Sequence, residues 1–248
     1  MRLMSLVRSW LVVAILLLAA PACAGPDAEP RTEDSTETDE IPENEYGLEV
    51  IDDKSLYIQT VAKDPSKELV DLEKELSGII LDIRYATENN FMGEQLYPVP
   101  RAVLRKPAAE LLGEVQEALR ERGLKLKVFD GYRPYKVTEK IWKPYKNPDF
   151  VADPAEGSRH NRGCAVDVTL VDSSTGEELL MPTGYDDFTE KAGHAYGDLP
   201  EEAIRNRDLL REVMESHGFV ALPTEWWHYD CQDWERFELL DLPLDSVL

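Results

Sequence analysis

Histidine is scarce in this chain, and so is positive charge. Four histidines (His160, His194, His217, His228) occur in 248 residues, and 27 lysines and arginines face 49 aspartates and glutamates, for a net charge of −22. Part of the acid excess is local. Asp27 to Glu45 holds nine acids and one base, and Arg2 and Arg8 are the only charges before it, which leaves −16 for Tyr46 onward. So acidic a domain repels nucleic acid and anionic membrane, and a small or zwitterionic partner suits it better. The chain also lacks an apolar run long enough to be a convincing membrane span, since Leu11 to Ala20 falls short of about 20 residues. It has no internal repeat and no second linker. The spacing of its histidines excludes the helical His-Glu-x-x-His zinc motif.

Two of the four histidines fall inside compact motifs that also carry carboxylates. The first motif is Ser158-Arg159-His160-Asn161-Arg162-Gly163-Cys164-Ala165-Val166-Asp167, and the second is Glu225-Trp226-Trp227-His228. A catalytic zinc needs three nitrogen or oxygen ligands and one open position, and His160, Asp167 and His228 supply that count. Glu225 is then left over as a general base. Taken singly, each motif is explained by an ordinary core strand with polar ends; finding both, in this order, favours the metal. Gly163 and the β-branched Val166, Val168 and Val171 predict a turn leading into a strand, so the metal would be held by strand and loop residues.

Met1 to Gly25 reads as a signal peptide with a positive start, an apolar run and a small-residue end. Ala20-Pro21-Ala22-Cys23 loosely resembles a bacterial lipobox, which would place a lipid anchor on Cys23; cleavage after Ala22 or Ala24 is the alternative. Residues 26–45 are Asp, Glu, Thr, Pro and Ser with almost no large apolar side chain, and they predict a disordered acidic tether. The expected location is therefore outside the cytoplasm, periplasmic or at the cell surface. Residues 46–248 suffice for one domain.

Within that domain the pattern predicts helices over 66–75, 107–122 and 200–217, another after Pro134 running through Trp142, and strands over 79–84, 124–129 and 165–171. A strand or loop is expected at 225–230. The mixed order points to an α+β domain with a largely antiparallel sheet flanked by helices. Arg133 follows a strand exit, where a guanidinium can meet the negative charge that builds on a peptide carbonyl; a turn arginine paired with an acid is the plainer reading. Tyr85 is equally well explained as a core tyrosine, and Ser158 as a turn residue. His194 is read as a supporting or surface residue, and His217 as a structural one at a helix end. Cys164 and Cys231 stand three residues from Asp167 and His228, an odd separation that turns their sulfurs away from the metal in extended chain. They form either a disulfide or two buried thiols.

The two motifs match the S-x-H-x-x-G-x-A-x-D and E-x-W-H signatures without a gap, and the chain from about Ile79 to Tyr229 resembles the VanX-type D-alanyl-D-alanine dipeptidases of the zinc D-Ala-D-Ala peptidase family. The resemblance extends to Tyr85-Ala86-Thr87-Glu88-Asn89-Asn90-Phe91 and to Asp130-Gly131-Tyr132-Arg133-Pro134. It covers Met181-Pro182-Thr183-Gly184-Tyr185-Asp186 less well, with Pro182 in place of Gly and Tyr185 in place of Phe. It implies one Zn2+ per chain, Arg133 as the stabiliser of the transition state, Asp186 as receiver of the substrate's free ammonium, and Tyr85 and Ser158 on the substrate side. Asp187 is the alternative to Asp186. The implied partner is a dipeptide. Two other functions remain open: a zinc D,D-carboxypeptidase or peptidoglycan peptidase for longer peptides, and a zinc-binding lipoprotein without turnover.

Overall fold

The computed structural model describes residues 40–248, so the expected leader and most of the expected tether lie outside the described residues. The end of that tether is ordered. Glu43 bridges Glu49, Val50 donates to the Pro42 carbonyl at 3.1 Å, and Ile41 packs on the core. Residues 40–45 therefore belong with the folded part, because Ile41 offers apolar surface that the acids around it do not.

In chain order the elements are β1 (Val50–Ile51), α1 (Lys54–Lys63), β2 (Leu69–Asp71), α2 (Leu72–Glu75), β3 (Ile80–Leu81), β4 (Val103–Arg105), α3 (Lys106–Arg120), β5 (Leu124–Asp130), α4 (Tyr135–Trp142), β6 (Ala165–Asp172), α5 (Glu201–Ser216), β7 (Phe219–Ala221), β8 (His228–Cys231), β9 (Leu239–Leu240) and α6 (Leu244–Val247). Five strands form the main sheet in the order β3-β5-β6-β8-β7, where β3–β5 is parallel and every other pair antiparallel. β1 pairs with β9, and β2 with β4, in two small sheets. This is the α+β domain with a largely antiparallel sheet expected from the sequence.

α3 buries Ala108, Leu112, Val115 and Leu119 along one stripe and packs on β5, while α5 buries Ala203, Leu210, Val213 and Met214 against β7 and α3. Apolar residues recurring every three or four positions put this stripe on the sheet. The helix expected over 66–75 is different. Pro65–Lys67 makes one 3-10 turn, Leu69–Asp71 forms β2, and only Leu72–Glu75 is helical. The cause is distant in sequence: Leu69, Val70 and Asp71 pair with Arg105, Leu104 and Val103, and such pairing overrides local propensity.

The register of the central strands decides what the sheet presents. Between β5 and β6 it shifts after Val128, so that Asp130 opposes Asp167, and Asp167 opposes His228 on β8. The extra residue at this β-bulge is Phe129. One row across three strands thus carries Asp130, Asp167 and His228.

Candidate active site

His160 reaches this row from a 3-10 turn, His160–Arg162, that Gly163 ends with φ +70. A side chain on Gly163 would also strike Leu69 Cδ2 at 2.7 Å, so glycine is required there twice over. The turn is tied down by Ser158, whose hydroxyl accepts from the His160 N–H at 3.2 Å, and by Asn161, whose amide donates to the Arg133 carbonyl at 2.9 Å. Glu225-Trp226-Trp227-His228 is a tight connection into β8. The Trp226 N–H donates to the Ala192 carbonyl, its indole to Thr183 Oγ1 at 2.9 Å, and the Trp227 carbonyl accepts from Val168 N–H. The two tryptophans anchor the segment while Glu225 and His228 line a cavity.

His160 Nε2, His228 Nδ1 and Asp167 Oδ1 converge. Their separations are 3.1 Å between the nitrogens, 3.0 Å from His228 to Asp167 and 3.4 Å from His160 to Asp167. Among the described residues, this is the one group of donors placed to hold a metal ion, all within 4.8 Å of one another. Zinc bonds of about 2.0–2.1 Å in a tetrahedron put ligand atoms about 3.3 Å apart, so the spacing fits. The proton positions fit as well. His160 Nδ1 donates to the Gly131 carbonyl at 2.7 Å and His228 Nε2 to Asp230 Oδ1 at 3.0 Å, which leaves the inward nitrogen of each ring as the one that can give up its proton to a metal. Burial opposes charge on His228, but Asp230 and Asp167 outweigh it and raise its affinity for a proton well above the usual range. Burial would likewise raise the Asp167 carboxyl, yet the facing imidazoles hold it below the carboxylate range. The same surroundings favour a cation.

Around these donors lies a cavity of about 120 Å³ lined by Tyr85, Arg133, Ser158, Asp186, Glu225 and Trp227, among others. It is small beside the ~300 Å³ at which pockets for drug-sized ligands begin. Glu225 stands 3.9 Å from His228 Nδ1, and burial pushes its carboxyl up to about 8. The Arg133 guanidinium is buried and bound through Nε and Nη2 to Asp130 Oδ2, at 2.9 and 2.7 Å. Burial works against its charge, but Asp130 more than restores it. Asp186 adopts a left-handed backbone, φ 61, uncommon outside glycine. Its Oδ1 lies 3.4 Å from the Tyr85 hydroxyl, while Oδ2 is buried with no partner, and desolvation pushes the carboxyl up to about 8. Asp186, not Asp187, faces the cavity.

All eight candidate residues therefore meet at one place. The sequence between 65 and 241 matches the family described as D-ala-D-ala dipeptidase. The chain belongs to this family. It is 34% identical over 173 residues to the D-alanyl-D-alanine dipeptidase of Escherichia coli (strain K12), covering 70% of this chain and 89% of that protein. It is 33% identical over 182 residues to the Enterococcus faecium D-alanyl-D-alanine dipeptidase, covering 65% and 90%. Among solved structures, the vancomycin-resistance D,D-dipeptidase VanXYg bound to a D-Ala-D-Ala phosphinate analogue matches at 18% identity, with a TM-score of 0.34 over 66% of each chain. That superposition is too loose to transfer any residue's role. As a D-Ala-D-Ala dipeptidase family member, the chain is a peptidase of the metallopeptidase class.

Sequence reasoning gave no role to Asp130 or Asp230. Asp130 stands at the head of the Asp-Gly-Tyr-Arg-Pro run and gathers Arg133, the Tyr97 hydroxyl at 2.8 Å and the Gly131 N–H. Asp230 was detectable, because a residue two places after His228 on a strand shares its face. Cys164 and Cys231 are free, buried thiols. His194 is neither exposed nor at the cavity: it packs beside Tyr229 with ring centroids 6.3 Å apart. His217 ends α5, its Nδ1 2.8 Å from the Val213 carbonyl.

Proposed function

We propose that the chain is a zinc-dependent D-alanyl-D-alanine dipeptidase that releases two D-alanines. The observation that carries this reading is the buried, unpartnered Asp186 Oδ2 facing the same small cavity as the His160–Asp167–His228 donors and Glu225. An unpaired buried carboxylate oxygen asks for a cationic partner. The free ammonium of a dipeptide supplies one, and the pairing sets which bond meets the catalytic groups.

His160, Asp167 and His228 would hold the zinc. When bound, zinc polarises the peptide carbonyl and lowers the pKa of water toward about 7. Glu225, whose buried carboxyl a cation held by the three donors would favour in its ionised form, takes the proton of the attacking water and returns it to the leaving amine. Arg133 stays protonated throughout and meets the developing oxyanion, its fork fixed by Asp130. Tyr85 orients Asp186, and the Ser158 hydroxyl, which accepts from the His160 N–H, keeps its own hydrogen for the substrate. Released outside the cytoplasm by the leader, with or without a lipid on Cys23, the enzyme would meet free dipeptides from wall material.

The test measures alanine released from D-Ala-D-Ala, L-Ala-L-Ala and N-acetyl-D-Ala-D-Ala, with zinc quantified. Cleavage of the free D,D dipeptide, lost in Glu225→Ala and on chelation and regained with zinc, supports the reading. Faster cleavage of the blocked peptide moves the chain to the carboxypeptidases, and stoichiometric zinc without turnover makes it a binding protein.

A further inference from the structure

Asp167 has two carboxylate oxygens in different surroundings. Oδ1 faces the two histidines, as described above. Oδ2 points the other way and accepts a hydrogen bond from the Tyr185 hydroxyl at 2.9 Å. The nearest guanidinium nitrogen, Arg133 Nη2, is 4.0 Å from Oδ2 and committed to Asp130 at 2.7 Å. Tyr185 is therefore what holds the outer oxygen. Its ring is fixed on two sides: it stacks on Phe129 with centroids 4.6 Å apart at 28°, and meets the edge of Trp227 at 5.5 Å. Phe129 is the bulge residue that sets Asp130 opposite Asp167, so one irregularity in β5 both aligns the row of site residues and builds the platform for the tyrosine.

We infer that Tyr185 is a positioning residue for the metal: by occupying Asp167 Oδ2 it keeps the carboxylate presenting a single oxygen toward His160 and His228. A carboxylate left unanchored can rotate and offer both oxygens, which adds a ligand and crowds the position that water needs. A phenol, with an ordinary pKa of about 10, donates at every working pH, and stacking leaves the ring little freedom to turn away.

The inference rests on the zinc reading above, and the experiment separates the two. Metal-free full-length protein, Tyr185→Phe and Phe129→Leu are titrated with zinc against a chromophoric chelator, and their cobalt(II) forms are compared by visible absorption. If the parent binds no zinc, the metal reading fails. If it does, Tyr185→Phe is expected to bind zinc about tenfold or more weakly, as for other residues that orient a ligand. Its cobalt d–d bands should also lose intensity as a second carboxylate oxygen joins the metal. Phe129→Leu, which keeps the hydroxyl but loosens its platform, should fall between. Zinc affinity for Tyr185→Phe within twofold of the parent overturns the role. So does an equal loss in both variants, which would make packing the cause.

Discussion

Asp230 Oδ1 lies 3.0 Å from His228 Nε2, two residues away along β8 on the face that carries Asp167. This contact gives His228 Nε2–H a fixed acceptor and leaves Nδ1 as the nitrogen that can exchange its proton for a metal. Removing it frees the ring. Asp230→Ala should therefore weaken zinc by about 10–100-fold while the fold survives, as other partners of ligating histidines do. Competition titration gives the affinity, and circular dichroism the fold.

Arg133 is charged and rigid because Asp130 holds two of its nitrogens. Lysine keeps the charge but not the fork. Arg133→Lys should lose about 10²-fold or more in kcat with zinc content unchanged, the scale seen when one preorganised donor is removed. A KM effect with kcat intact would assign the arginine to substrate binding.

Asp186→Asn removes the carboxylate facing the cavity but keeps its size. With D-Ala-D-Ala, kcat/KM should fall by about 30-fold or more, equivalent to ~2 kcal/mol for a broken buried charge pair. With N-acetyl-D-Ala-D-Ala, which has no ammonium, it should not fall. Equal losses on both would refute the ammonium site.

His194 ties stability to pH. Burial pushes its imidazole down to about 4, with Arg211 and Arg207 adding to the effect, and neither ring nitrogen has a partner. The unfolded chain takes up a proton below about 6.5 that the folded chain refuses until about 4, so stability is lost as pH falls through that window. Between pH 7 and pH 5 the parent should lose about 2 kcal/mol more than His194→Leu in urea unfolding. Parallel losses would place the acid sensitivity elsewhere.

At Gly131 the backbone passes close to β4, and a Cβ would lie 2.9 Å from the Val103 carbonyl oxygen. Gly131→Ala should cost about 1–3 kcal/mol of stability, since backbone on both sides has little room to give. Zinc should weaken too, because the Gly131 carbonyl receives His160 Nδ1.

Much of the site was legible because it is written in contiguous runs. Ser158 to Asp167 and Glu225 to His228 each form a turn entering a strand, so their spacing alone limits where the side chains point. The long helices α3 and α5 were legible for a similar reason, each having a stripe at helical period. What stayed hidden depends on pairing between distant segments. Nothing local distinguishes Leu69-Val70-Asp71 from helix until Val103–Arg105 lies beside it. The bulge at Phe129 cannot be seen in the alternation of Leu124, Leu126 and Val128, yet it puts Asp130 in the row. The bond from Tyr185 to Asp167 joins a loop to a strand through a contact that no motif encodes. The expected signal peptide and most of the expected tether lie outside the described residues.

The row Asp130, Asp167, His228 exists only when β5, β6 and β8 are aligned, and His228 lies 68 residues from His160 in the chain. A metal held by these donors would therefore depend on the paired sheet. A chain with β8 still unpaired has two donors and little hold on an ion; once the third strand is in register, binding draws the population toward the closed sheet by mass action. Zinc would act here as a latch on finished folding, holding only a sheet whose β8 is already in register.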